Sequence, residues 1–161
     1  MGVLRAASII YSDEQLEAHL FGLSCVGYVD FLCALRDGRP YPALYSSSVR
    51  YEREPPGSEV WQSARAVFAK KRADCEDLAA GTRTPELWVA GETAARAVVK
   101  RISPTLRHIL VERADGTIED PSLILGMHAD EPEERAAARA AVKPVMPTPD
   151  VPISLDRRRH R

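Results

Sequence analysis

Cysteine is scarce in this sequence, which has only Cys25, Cys33 and Cys75 in 161 residues. Three cysteines at these spacings do not make a disulfide framework or the paired pattern of a zinc site. Cys25 and Cys33 lie in a helical pattern at a separation of about 12 Å along the axis, whereas a disulfide needs α-carbons within about 7 Å. We expect both to be small buried hydrophobic residues. The sequence predicts no metal site and no cofactor.

An excess of charge of either sign is also lacking, because 22 basic residues are balanced by 23 acidic ones. The whole chain therefore gives no reason to expect nucleic acid or an anionic membrane as its main partner. No unbroken apolar run approaches the length that spans a bilayer, and the first residues lack the pattern of a signal peptide. We expect a cytoplasmic protein with no membrane partner.

The apolar content, 45% of the chain, suits one folded domain with a hydrophobic core. Ser12 and Gln15 form a capping box, which predicts the start of a long helix. Its apolar pattern continues to Leu35 and ends at Asp37-Gly38, although two glycines in the middle leave two shorter helices as an alternative. The second half is apolar around most of its circumference, which predicts a buried helix.

A proline-rich connection over 38–57, with a short strand expected at 49–51, leads to a second helix. The second helix is predicted to begin at Ser58 and to end in the basic run at 70–72, because apolar residues recur at helical spacing between them. A third helix begins with Asp74 as its N-cap. Pro85 should kink this third helix or end it early.

The second half of the chain predicts strands over 94–102, 106–112 and 117–120, the last two joined by Ala114-Asp115-Gly116. A two-residue loop would put His108 and Asp120 on opposite faces of the sheet, and a three-residue loop would put them on the same face. The three-residue loop needs a left-handed residue at its end, and Gly116 supplies it. The turn therefore favours the register that makes His108 and Asp120 neighbours.

The C-terminal part has a different composition. Residues 131–142 are rich in alanine and arginine and predict a surface helix, which completes a single domain over 1–142. Residues 143–161 are rich in proline and end in an arginine cluster, which is typical of a linker or docking tail. Phosphate or DNA is a conceivable ligand of that cluster alone.

Cys75 is the residue with the clearest chemical potential. At the first position of the third helix its sulfur lies near unpaired backbone N–H groups, which lower a thiol pKa, as does a nearby imidazolium. The flanking acids Asp74, Glu76 and Asp77 act against a thiolate, so activation must come mainly from a histidine. Glu76 and Asp77 themselves are best interpreted as helix-start charges.

These residues also resemble a known family. The segment Ala73-Asp74-Cys75-Glu76-Asp77-Leu78-Ala79 is similar to the nucleophile motif of the transglutaminase-like branch of the papain-like cysteine enzymes. The segments 108–111 and 115–122 resemble the histidine and aspartate strands of that branch, and Trp61-Gln62 and 125–127 resemble small phage-encoded members. The resemblance covers about residues 49–127. It implies a papain-like α+β fold in which N-terminal helices, with the nucleophile at a helix N-terminus, pack against a small antiparallel sheet.

The resemblance also implies roles for three residues. Cys75 attacks a carbonyl carbon, His108 moves the proton, and Asp120 orients and stabilises the imidazole. The backbone N–H of Cys75 is the first oxyanion donor, with Trp61 or Gln62 as a conjectural second one. The expected activity is that of a peptidase, amidase or transglutaminase acting on a protein or peptide, in a host cytoplasm or in a virion.

Simpler interpretations stay open for the same residues. Cys75 could be an inert buried thiol, His108 an ordinary strand histidine and Asp120 a turn cap. The alternative function is a virion-associated structural protein that uses the fold as a binding scaffold and docks other phage proteins through 143–161. His19 and His128 lack partners at ligand spacing and are expected to be structural or exposed.

Overall fold

The computed structural model describes residues 12–55, 60–104, 106–127, 139–140 and 142, and these residues combine helices with small sheets. The predicted α+β class is therefore confirmed. Within the described residues the helices are α1 Asp13–Arg36, a 3-10 turn Leu44–Ser46, α2 Ala64–Lys70, a π-helical segment Asp77–Arg83, α3 Thr84–Val89 and α4 Pro121–Ile124. The strands are β1 Arg50–Tyr51, β2 Arg72–Ala73, β3 Arg96–Arg101, β4 Arg107–Glu112 and β5 Ile118–Glu119.

The first helix is continuous and begins at the predicted capping box. The Ser12 hydroxyl accepts the Gln15 backbone N–H, and the Gln15 side chain accepts the Ser12 N–H. Gly27, which the sequence marked as a weak point, lies where α1 meets the π-helical segment. A Cβ at this position would overlap the Gly81 carbonyl and the Pro85 ring, so glycine permits the close approach of the two helices.

The prediction that the second half of α1 is buried all round is wrong. Phe31 is buried against the core, but Val29 is 56% exposed, and Cys25 is exposed rather than buried as expected. Cys33 is half-buried. Hydropathy alone cannot tell which faces of a helix find a partner.

Among the described residues α1 is the one helix long and apolar enough to cross a membrane by length and composition, with a mean hydropathy of 1.6.

The second helix begins later than the sequence indicated. Its predicted start at Ser58 lies outside the described residues, and Val60 is exposed and not helical. The observed helix runs from Ala64 to Lys70, and Lys71 follows it in a left-handed conformation with φ 62°. The basic run therefore ends this helix, as predicted.

Residues 75–89 form one unbroken helical stretch that is wound more widely in its middle. Asp74 accepts the Leu78 backbone N–H through its carbonyl, which places Asp74 at the N-cap as predicted. Pro85 was predicted to kink the helix or to end it early, but the helix continues without a break through Pro85. Proline lacks an N–H, and its ring crowds the carbonyl four residues earlier. The π-helical segment Asp77–Arg83 removes that conflict by spacing the backbone hydrogen bonds at five residues.

Two small sheets complete the described fold. Strands β1 and β2 pair in parallel, and β3, β4 and β5 form an antiparallel sheet in sequence order. One core cluster lies between α1, the 75–89 helix and the antiparallel sheet and contains Leu20, Ala79 and Ile109. Of the C-terminal predictions, the helix over 131–142 lies mostly, and the tail 143–161 entirely, outside the described residues.

Candidate active site

The β4–β5 hairpin has the predicted register. Val111 pairs with Glu119, and the Arg113 N–H donates to the Thr117 carbonyl at 2.8 Å across a three-residue loop. Gly116 adopts a φ of 82°, the left-handed conformation that this loop requires. The same alignment places Leu110 opposite Asp120, so that His108 and Asp120 are diagonal neighbours on one face.

His108 and Asp120 are in direct contact. The His108 Nε2 and the Asp120 Oδ2 are 2.9 Å apart, and both side chains are mostly buried. The other oxygen of Asp120 accepts the Leu123 backbone N–H at 3.0 Å at the start of α4. Asp120 therefore does cap a turn, as the simpler interpretation held, and the cap fixes its carboxylate toward the imidazole.

The contact with Asp120 uses one ring nitrogen of His108 and leaves the other one able to accept a proton. With Asp120 ionised, the Nε2 carries the hydrogen of the pair, and the Nδ1 of a neutral ring keeps its lone pair. In the part of the chain that the structure describes, this Nδ1 has no hydrogen-bond partner. A nitrogen of this kind can accept a proton from a thiol.

Cys75 lies at the start of the 75–89 helix and packs against the core cluster that contains Ile109. The thiol interacts with the backbone of Ile109, the β4 residue next to His108. The Cys75 Sγ donates to the Glu76 Oε2 at 3.2 Å. No hydrogen bond joins Cys75 to His108 among the described residues, so the thiol proton is directed to Glu76 and not to the imidazole.

The electrostatics around Cys75 favour the thiol over the thiolate. Burial raises the pKa of Cys75, the negative charge of Glu76 raises it further, and the backbone of Ile109 only partly opposes the increase. Asp74 adds to the increase in the pKa of Cys75. The expectation that the flanking acids oppose a thiolate is therefore confirmed for Glu76 and Asp74.

An acidic cluster lies beside the thiol. Single oxygens of Glu54, Asp74 and Asp77 come within 4.8 Å of one another, a separation that one cation could bridge, although the sequence predicted no metal ligands. Burial and the charge of Glu76 raise the pKa of Asp74, and the same two causes, opposed by hydrogen bonds from Gln62, raise the pKa of Asp77 to about 7. The Asp74 Oδ1 is buried without a hydrogen-bond partner among the described residues.

The two conjectural oxyanion donors differ in availability. The Gln62 side-chain amide donates to the Asp77 Oδ2 at 2.7 Å, and its backbone N–H donates to the Asp77 Oδ1 at 2.6 Å. Gln62 is therefore committed to holding Asp77. Trp61 packs against the same core cluster as Cys75, with its ring edge-on to His19 at 5.7 Å between centroids.

Sequence reasoning missed the buried ionic network next to Asp120. Glu119 accepts from the Arg83 Nε at 2.8 Å, from the Arg113 Nη1 at 2.9 Å and from the Tyr45 hydroxyl at 2.8 Å. Burial alone would raise the pKa of Glu119, but the hydrogen bonds and charge of Arg83 bring it below its usual range. The network ties the helix that begins at Cys75 to the strand that precedes Asp120.

Comparison with protein-family models, with curated proteins and with solved structures finds no match to the chain. The geometry of Cys75, His108 and Asp120 must therefore support any functional proposal by itself.

Proposed function

We propose that the protein is a cysteine-dependent hydrolase or acyltransferase of the transglutaminase-like type, with a papain-like arrangement of its site. The observation that supports this most strongly is the 2.9 Å contact between the His108 Nε2 and the Asp120 Oδ2. It leaves the His108 Nδ1 available on a strand whose next residue, Ile109, interacts with the Cys75 thiol through its backbone. A histidine oriented by a carboxylate near a helix-start cysteine is the arrangement that nucleophilic thiol catalysis needs.

The proposed reaction begins when the Cys75 Sγ attacks the carbonyl carbon of an amide in a protein or peptide substrate. The thiol proton passes to the His108 Nδ1, and Asp120 stabilises the imidazolium that forms. The Cys75 backbone N–H, at the start of the helix, donates to the oxyanion. The C–N bond then breaks, the amine leaves with the proton from His108, and a thioester remains on Cys75. Water or a second amine attacks the thioester and regenerates the thiol.

This mechanism requires the thiol hydrogen to turn from Glu76 toward His108. Because the raised pKa of Cys75 disfavours a resting thiolate, proton transfer would accompany the attack on the substrate and not precede it. The enzyme would then be a general-base system, unlike one with a stable thiolate–imidazolium pair.

An activated ester tests the proposal without knowledge of the natural substrate. In a variant with Cys25 and Cys33 replaced by serine, p-nitrophenyl acetate should give a burst of nitrophenol and an acetyl group on Cys75, detected by mass spectrometry. Asp120→Asn keeps an oxygen for the Leu123 N–H and should slow acylation by roughly 100-fold or more. Equal acylation rates in wild type, His108→Ala and Asp120→Asn would refute the mechanism.

A second candidate function is a binding scaffold with little or no catalysis, as the virion-associated alternative holds. The hydrogen bond from Cys75 to Glu76 favours it, because this contact suits a thiol that is not used as a nucleophile. In that case Cys75→Ser would leave folding and partner binding intact, and no variant of His108 or Asp120 would change the slow reactivity of the thiol.

A further inference from the structure

The exposed side of α1 has a regular apolar seam. Residues of α1 at alternating spacings of four and three all face solvent, and they are Ala18, Gly22, Cys25, Val29, Leu32 and Arg36. We call these six residues the exposed seam. Phe21, Val26 and Leu35 flank it and are 63%, 54% and 40% exposed. Alternation of four and three is the spacing of a helix–helix contact.

Gly22 in this seam has no packing role within the part of the chain that the structure describes. A Cβ at Gly22 would meet no atom within 4 Å, whereas a Cβ at Gly27 would overlap the neighbouring helix. Glycine is among the least favourable residues in the interior of a helix. Gly27 is accounted for by close packing against the 75–89 helix, and the equivalent reason for Gly22 is a close approach from outside the described fold.

We propose that the exposed seam is the interface of a homodimer in which α1 packs antiparallel against α1 of a second copy. An antiparallel pairing centred between Cys25 and Val29 places these two residues opposite each other and Gly22 opposite Leu32. Each small side chain then faces a larger one. A two-fold interface must be complementary to itself, and this seam meets that condition.

The size of the apolar surface agrees with a dimer. The five large hydrophobic side chains on this side of α1 together expose about 400 Å², the size of the largest apolar patch on a typical monomer, which is often functional. Two copies would bury about 800 Å² from these side chains alone. A specific interface needs about 1,200 Å² in total, so the rest of the seam and a polar rim would have to supply about one third of the buried area.

Charge favours a protein partner over a lipid surface. Helices that lie on membranes have lysine and arginine along the border of the apolar face. Arg36 is the only lysine or arginine in α1, and the helix also contains four acidic residues, namely Asp13, Glu14, Glu17 and Asp30. An anionic membrane would repel this border, whereas the antiparallel copy places Arg36 opposite Ala18, next to the acidic Glu17 of its partner.

Sedimentation velocity of the full chain under reducing conditions tests the proposal. Wild type should dimerise with a micromolar Kd, and Val29→Glu at the centre of the seam should raise that Kd at least about 10-fold. Ile118→Glu is the matched control, because Ile118 is 49% exposed on β5 and should leave the Kd unchanged. Gly22→Leu should weaken the dimer as Val29→Glu does, without lowering the thermal unfolding temperature of the monomer.

Three outcomes would overturn the dimer. The first is a wild-type chain that stays monomeric up to about 100 µM. The second is an equal effect of Val29→Glu and Ile118→Glu on the Kd. The third is a monomeric wild type that sediments with phosphatidylcholine–phosphatidylserine vesicles and loses this binding in Val29→Glu, which would assign the seam to a lipid surface.

Discussion

Replacement of Glu76 by glutamine should make the Cys75 thiol more reactive. Glu76 accepts the thiol hydrogen at 3.2 Å, and its charge is the largest cause after burial of the raised pKa of Cys75. Glutamine keeps the size and an acceptor oxygen but removes the negative charge. The substitution therefore isolates the electrostatic effect of the carboxylate on the thiolate.

The expected size of this effect follows from the distance. A unit charge at 3.2 Å from the sulfur contributes about 1.3 kcal/mol in water and about 5 kcal/mol at an effective dielectric constant near 20. Because Glu76 is half-buried, we expect about 1.4–2.8 kcal/mol, or one to two units of the Cys75 pKa. A thiolate of lower pKa is also a weaker nucleophile, so the reaction rate at neutral pH should rise about 3- to 15-fold.

Thiol–disulfide exchange with an aromatic disulfide measures this rate. Cys25 must first be replaced by serine because it is exposed and would react, and Cys33 is replaced with it. Glu112→Gln is the control, since Glu112 is bound to Arg96 on the antiparallel sheet and is absent from the main influences on the Cys75 pKa. An unchanged or slower rate in Glu76→Gln would refute the electrostatic account of the site.

Three further predictions concern stability. Burial raises the pKa of Asp74 from 3.8 to about 9 in the folded protein. Between these two pH values the folded state holds a proton that the unfolded state releases. The free energy of unfolding should therefore fall as the pH rises across this range. Asp74→Asn should raise the free energy of unfolding at pH 8 by about 2 kcal/mol. In thermal unfolding scans it should also make the loss of stability with rising pH smaller, and a larger loss would contradict the prediction. Glu119→Gln removes the buried carboxylate that Arg83 and Arg113 share and leaves Arg83 with Glu86 as its only carboxylate partner among the described residues. It should lower the free energy of unfolding by about 3 kcal/mol in urea titrations, whereas less than about 1 kcal/mol would show that the network is not structural. Gly27→Ala should lower the free energy of unfolding by about 1–3 kcal/mol in the same titrations, because its methyl group meets the Gly81 carbonyl. Gly22→Ala, the control, should raise it by up to about 1 kcal/mol, because its methyl group meets no atom and alanine favours a helix.

Local signals in the sequence predicted the parts of the fold that depend on neighbouring residues. Ser12 and Gln15 predicted the start of α1, and Gly116 predicted the hairpin loop that brings His108 and Asp120 together. In each case a few adjacent residues determine the backbone geometry, so the local sequence is enough to predict it.

Features that depend on distant contacts could not be predicted in this way. Glu119 and Arg83 are far apart in sequence, and nothing near either residue indicates that they pair in the core. The apolar pattern of α1 likewise gives no indication that Val29 is exposed while Phe31 is buried. The π-helical segment before Pro85 packs closely against Gly27 of α1, a contact between distant residues that local propensity does not describe.

The pH dependence of Cys75 alkylation in wild type and His108→Ala tests the central claim most directly. With the other two cysteines replaced by serine, iodoacetamide labelling is followed by mass spectrometry between pH 5 and 9. The proposed site predicts labelling of Cys75 near neutral pH that falls by roughly 10-fold or more in His108→Ala. Equal and uniformly slow labelling in both proteins would contradict a working pair of thiol and imidazole.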